Sequence, residues 1–152
     1  MARCLDILGD PWALLIMREV LSGTSRFDEL KTVLQVADTV LSKRLAALTA
    51  AGLLEKVPYG GTSRPRFEYR STEAGADTAA VLQALARWGA RHATPRELEW
   101  TALRVYCLAC GQEAAESADY CLTCRTPLQA ARTGWVRPAR WEETKPLAAP
   151  NT

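Results

Sequence analysis

The spacing of apolar and polar positions resolves the first ninety residues into short helices, a hairpin and a long closing helix. Residues 2–9 (ARCLDILG) read as a brief helix that stops at Gly9. Asp10-Pro11 then signals a new start, a capping carboxylate followed by proline at the first helical position. The run from Trp12 to Gly23 is apolar on most sides, so it belongs at the centre of a core. Arg26-Phe27 reads as a short extended piece, with Asp28 capping a helix that ends near Leu34 and a turn at residues 35–37. Asp38 is placed to cap the next helix, where an acid suits the dipole. In that helix Leu41, Leu45 and Leu48 recur at i, i+4, i+7 and form one apolar stripe. Thr39 and Lys43 project from the opposite side, with Ser42 on the flank. Gly52 ends the helix in a position that tolerates positive φ. Two extended runs, LLEKVPY and RFEYR, follow, joined by a glycine- and proline-rich loop that carries Arg64 and Arg66. Ser71-Thr72-Glu73 opens the last helix, whose apolar face is Val81, Leu82, Leu85 and Trp88.

The order helix, helix, turn, helix, hairpin predicts a mainly α fold with a small β-hairpin wing, a winged helix-turn-helix. A helix with one buried face fits the major groove of double-stranded DNA with the other, and a basic wing reaches the neighbouring backbone or minor groove. The long closing helix carries more apolar surface than a domain this small can cover. Together with the first helix, it is expected to form a homodimer interface. We therefore expect a DNA-binding and dimerisation domain over residues 1–92, a linker over 93–103, a metal module over 104–128 and a tail over 129–152. The tail, rich in proline and alternating charge, is expected to be mostly non-regular, with Trp135 and Trp141 packed back on some surface.

A chain of 152 residues accommodates one domain of about 100 residues plus an appendage. No apolar run approaches the roughly 18 residues that cross a bilayer, and Asp6 and Asp10 break any signal-peptide layout at the start. The expectation is a soluble, cytoplasmic protein without a membrane partner. The net charge of +2 decides little, but its distribution does more. Residues 31–70 hold seven Lys/Arg against three acids, a local +4, whereas the first thirty hold three against five, a local −2. Positive charge thus gathers at the outward helix and wing. No catalytic constellation is visible: the single histidine, His92, ends a helix, and no serine near a glycine has a base partner. The chain is not expected to be an enzyme.

Four of the five cysteines form Cys107-Leu-Ala-Cys110 and Cys121-Leu-Thr-Cys124, a CxxC-x10-CxxC pattern. Each CxxC turn aims two thiolates at one centre, and two such turns complete the tetrahedron that Zn²⁺ accepts. Without a secretion signal, metal is favoured over disulfides. Four thiolates leave no open coordination position, so the zinc is structural, and it would supply the folding energy that a 25-residue segment cannot find in a core.

The segments RCLDILGDPWALLIMREVLSGTSRFDELKTVL, VLSKRLAALTAAGLLEKVPY, RPRFEYRSTEAG and VLQALARWG together resemble the HxlR-type winged-helix regulators, relatives of the multiple-antibiotic-resistance regulators. The resemblance spans roughly residues 2–92. It implies a homodimeric transcriptional regulator on a pseudo-palindromic operator, with Thr39, Ser42, Lys43 and Arg44 on the recognition helix and Arg64 and Arg66 on the wing as DNA-binding residues. Arg44 lies at the edge of the apolar stripe. It is expected at a phosphate, or in an internal ion pair with an acid such as Asp28 or Glu29. Trp12, Leu15 and Trp88 fall where the family packs its core and dimer. Asp38 stands where relatives often carry a polar or basic residue, and its acceptors would suit the cytosine N4 donor. Many members carry a regulatory cysteine a few residues before the first helix. This chain begins beyond that point, and Cys4 instead falls inside the helix as a small buried hydrophobe. The cysteine module resembles a zinc ribbon that some such proteins carry after the winged helix.

The functional expectation is a transcriptional regulator, a repressor released or engaged by a small-molecule effector bound between the dimerisation helices and the ribbon in a pocket lined by tryptophans. The alternative is a protein-interaction module in which winged helix and ribbon dock a partner without touching DNA.

Overall fold

The computed structural model describes residues 2–60, 66–92, 104–114, 118–129, 132–137 and 141–146. The chain divides into two compact units, with the division inside a helix between Ala76 and Asp77. Among the described residues, no helix is long and apolar enough to cross a membrane.

In the first unit, α1 (Ala2–Leu8) is followed by α2 (Pro11–Leu21), α3 (Phe27–Leu34), α4 (Asp38–Ala50), β1 (Leu54–Tyr59) and β2 (Arg66–Ser71). The start of α2 is as the Asp10-Pro11 pair predicts. The Asp10 side chain accepts the Trp12 N–H at 2.9 Å, and Pro11 fills the first helical position, where its missing N–H costs nothing. The apolar girth of α2 makes it the centre of the unit, packed against α1, α3, α4 and β2. Ile16, Met17, Leu21, Leu30, Leu41, Leu45, Leu48 and Leu54 are all fully buried, each worth about 1.5–3 kcal/mol of transfer free energy.

Two expected caps are corrected. The α3 cap is Arg26 and not Asp28, because Arg26 is held extended by a β-bridge to Glu68 and the helix begins at once with Phe27. Asp28 and Glu29 occupy its first turn, and Glu29 reaches back to the Arg26 N–H at 3.3 Å. The α4 cap is Ala37, since Asp38 is already helical and sends its carboxylate to Lys31 Nζ at 2.7 Å, tying α3 to α4. Gly52, at φ 73°, turns the chain from α4 into β1. β1 and β2 pair antiparallel from Leu54 opposite Ser71 to Tyr59 opposite Arg66. The tip between them, with Arg64, lies outside the described residues.

α5 (Glu73–His92) begins beyond Thr72, whose hydroxyl accepts the Gly75 N–H at 3.0 Å. The second unit contains most of this helix and a three-stranded antiparallel sheet of β3 (Arg104–Cys107), β4 (Thr133–Arg137) and β5 (Trp141–Pro146) in that order. The tail expected to be non-regular therefore supplies two of the three strands. Its prolines misled the reading: β4 ends at Arg137, and Pro146 closes β5, an edge strand, where proline is tolerated. Trp135 pairs in register with Val105, so the segment beyond residue 128 completes the metal module's sheet.

Candidate nucleic-acid interface and metal centre

On α4 the leucine stripe leaves a polar face outside. Leu41, Leu45 and Leu48 are 0%, 0% and 2% exposed, whereas Thr39, Ser42 and Lys43 are open to solvent. No side chain among the described residues engages these three. Arg44 behaves differently. Its Nη2 lies 2.5 Å from Asp10 Oδ2, and its Nε is buried without a partner. The acid that holds it is thus the α2 cap and neither Asp28 nor Glu29. One carboxylate caps α2 with one oxygen and fixes the recognition helix with the other. Asp38, which would otherwise place an unbalanced negative charge at the start of α4, is occupied by Lys31. Hydrogen bonding and attraction from Asp38 in turn raise the Lys31 ammonium above its ordinary range.

On the hairpin Arg66 is exposed. The fold brings two further cations to the same hairpin. Arg26 stacks over the Tyr59 ring at 4.9 Å, and Lys56 stacks over Phe67 at 4.1 Å. Glu68, the nearest acid on the strand, is engaged by Arg70 Nε at 2.6 Å. Arg26 escaped the sequence reading because its proximity depends on the bridge to Glu68, a contact 42 positions away. Lys56 was countable only as local charge.

The four cysteines converge in the second unit. Their sulfur atoms all lie within 4.8 Å of one another, with Cys107–Cys124 at 3.6 Å and Cys110–Cys121 at 3.5 Å. All five cysteines of the chain are free thiols. A tetrahedral ion with metal–sulfur bonds of about 2.3 Å has sulfur–sulfur edges of about 3.8 Å, so the cluster fits one such ion. Both CxxC turns are built alike. The Gly111 N–H donates to the Cys107 carbonyl at 2.8 Å, and the Arg125 N–H donates to that of Cys121 at 2.8 Å. Gly111 and Arg125 sit at matching left-handed positions, φ 72° and 60°. Four thiols this close cannot ionise independently. The hydroxyl and backbone of Thr126 pull Cys124 down to about 6, and a hydrogen bond from the backbone of Cys124 lowers Cys121. A backbone hydrogen bond at Gln112 opposes the shift at Cys110, yet burial and the neighbouring sulfurs push that thiol up to about 12. The cluster can hold one metal ion, and four protein thiolates leave it no open position for catalysis.

Apolar side chains also remain uncovered. α1 has no buried residue, with Leu5 60% and Ile7 40% exposed, and Cys4 is exposed too, contrary to the expectation of a buried small hydrophobe. On α5, Val81, Leu85 and Trp88 are exposed, Trp88 by 60%, while Leu82 is buried.

The fold agrees with what the chain is similar to. The family profile described as HxlR-like helix-turn-helix matches residues 7–97. An uncharacterized HTH-type transcriptional regulator of Mycobacterium tuberculosis, Rv3095, is 38% identical over 112 residues, covering 74% of this chain and 69% of that protein. Another from Bacillus subtilis, YvaP, is 31% identical over 98 residues, covering 64% and 90%. Among solved structures, PA1607, a candidate transcription factor, superposes with a TM-score of 0.66 at 30% identity, covering 85% of this chain and 87% of that one. A candidate transcription factor from Pseudomonas aeruginosa, PA1374, gives 0.55 at 34% identity over 93% and 94%. With its helix-turn-helix and hairpin, the family match over residues 7–97 and relatives that are HTH-type transcriptional regulators, this chain belongs to the HxlR-like helix-turn-helix family of DNA-binding transcriptional regulators.

Proposed function

We propose that the protein is a cytoplasmic homodimeric repressor that binds a pseudo-palindromic operator and responds to a small-molecule effector. The observation that carries the reading is the contrast across α4, with three leucines buried to 2% or less and Thr39, Ser42 and Lys43 exposed opposite them. In the proposed complex these three side chains meet base edges in the major groove, and Arg64 and Arg66 hold phosphates beside it. Arg44 serves at the same helix from behind, through Asp10, with contact to a phosphate as its alternative role.

The proposed functional division is residues 1–92 for DNA binding and dimerisation, then a linker over 93–103 leading into the metal module. Dimerisation through α1 and α5 would cover Leu5, Ile7, Val81, Leu85 and Trp88, whose exposure supports it. Zn²⁺ is the proposed ion at Cys107, Cys110, Cys121 and Cys124. It would contribute folding energy there and no reaction chemistry.

Footprinting of the full chain on a selected operator, with light scattering of the complex, tests this reading. Two protected half-sites about one helical turn apart and two chains per site are expected. A single asymmetric footprint by one chain would contradict it, and so would an unchanged mass after Trp88→Glu.

A further inference from the structure

A recess in the second unit shares no lining residue with the cysteine cluster or with the outer face of α4. It has a volume of about 470 Å³, within the range of small-molecule pockets. One wall is the stripe of α5 that carries Gln83 and Arg87, one turn apart on the same face. The other is formed by the two legs of the second CxxC turn, residues 118–120 and 127–129. A bridge between Tyr120 and Pro127 and the Leu128 N–H donated to the Asp119 carbonyl at 2.9 Å fasten these legs together. The aromatic in the lining is Tyr120, where sequence reasoning expected tryptophans.

The recess carries both signs of charge, with Arg87 half-buried on α5 and Asp119 exposed on the turn. Arg87 and Asp119 both line it, yet they form no ion pair with each other, and neither side chain has a partner among the described residues. Two opposite charges that line one recess without pairing suit a ligand that carries the complementary pair. Arg87 offers a planar fork for a carboxylate, and Gln83 beside it adds an amide. Asp119 offers an acceptor for an ammonium. Tyr120, Pro127 and Leu128 between them offer apolar surface.

We propose that this recess binds a small amphoteric molecule, with a carboxylate, an ammonium and an apolar or aromatic side group, as an amino-acid-like effector. The proposal rests on the effector-responsive reading given above. Such a ligand would join α5 to the metal-bearing turn. On α5, Ala80, Gln83 and Arg87 line the recess, and Val81, Leu85 and Trp88 are centred about 130° further round the helix. The occupied pocket therefore bears on the same helix that presents the proposed dimer contact on another face.

Isothermal titration of the metal-loaded full chain with three probes tests the proposal. Phenylalanine carries both charges, phenylacetate only the carboxylate, and phenethylamine only the ammonium. Phenylalanine should bind one per chain and weaken by about tenfold or more in both Arg87→Gln and Asp119→Asn, because each variant removes one charge-assisted partner. Phenylacetate should respond to Arg87→Gln alone, and phenethylamine to Asp119→Asn alone. Circular dichroism and metal content unchanged from the parent chain keep the comparison on binding. If no probe binds, or if binding ignores both substitutions, the pocket assignment is overturned even with DNA binding intact. Operator affinity, measured with and without saturating phenylalanine, separates the two ideas. A filled pocket with unchanged affinity sustains the site and removes its regulatory role.

Discussion

Asp10 is the residue on which local structure and recognition geometry meet. It caps α2 through Oδ1 and holds Arg44 of the recognition helix through Oδ2. Asn caps a helix as well as Asp does, so Asp10→Asn should remove the ion pair and keep the cap, whereas Asp10→Ala removes both. The pair lies between the exposed and buried limits, with side chains 27% and 32% exposed. Fully exposed pairs are worth at most about 1 kcal/mol, and breaking fully buried ones costs about 3–5. The buried, unpartnered Arg44 Nε makes loss of its counter-charge felt, and solvent access limits it. A loss of about 1–2 kcal/mol is expected for Asp10→Asn. Cap removal adds about 1 kcal/mol more for Asp10→Ala, giving about 2–3 in all. Urea denaturation at fixed protein concentration reads these as shifts in midpoint at constant slope. Arg44→Ala should be destabilising by a similar amount and leave the salt dependence of DNA binding unchanged, because its charge is already spent on Asp10. Wild-type stability in Asp10→Asn would refute the tether. A salt slope shallower by about 0.9 in Arg44→Ala would show it neutralising a phosphate instead.

Two further outcomes follow from the second unit. One divalent ion per chain should be measured by elemental analysis, colourless as zinc is and iron tetrathiolate is not. It should be lost on Cys107→Ser or Cys121→Ser and retained in Cys4→Ser; full occupancy in the first two would contradict a shared site. Arg104 forms a bidentate pair with Glu113, and that hydrogen bonding holds the carboxyl below the ordinary glutamate range. Because the folded value is depressed, the stabilisation is present above the unfolded glutamate value and is lost as pH falls through the folded one. Carbon-detected NMR titration should therefore see Glu113 move upward in Arg104→Gln, and an unmoved titration would sink the assignment.

The winged helix was legible because its signals are local. The leucine stripe of α4, the Asp10-Pro11 start and the Gly52 stop each act within a few residues, and each appears where the pattern put it. The CxxC spacing carried the metal cluster for the same reason. What sequence missed depends on distant contacts. Arg26 caps α3 because of Glu68, Asp38 is diverted by Lys31, and Arg44 finds Asp10, an acid that only the α2–α4 packing brings near. The residues beyond 128 were misjudged for a different reason. Their strands are short and flanked by prolines, and they become strands by pairing with β3 and with each other. Arg87 and Asp119 gave no signal at all, since a recess exists only once α5 and the second CxxC turn are folded.

The central claim is that the outer face of α4 reads base edges while the wing holds the backbone. Fluorescence anisotropy with operator and scrambled duplexes across a salt series tests it most directly. The parent chain should bind more weakly as salt rises, with a slope of about −0.9 per phosphate neutralised. Lys43→Ala should cost operator binding about 1–3 kcal/mol and bring it toward the scrambled value. Arg64→Ala and Arg66→Ala should weaken both duplexes alike and flatten the slope. Lys43→Ala that leaves discrimination intact, with wing variants that abolish it, would contradict the account.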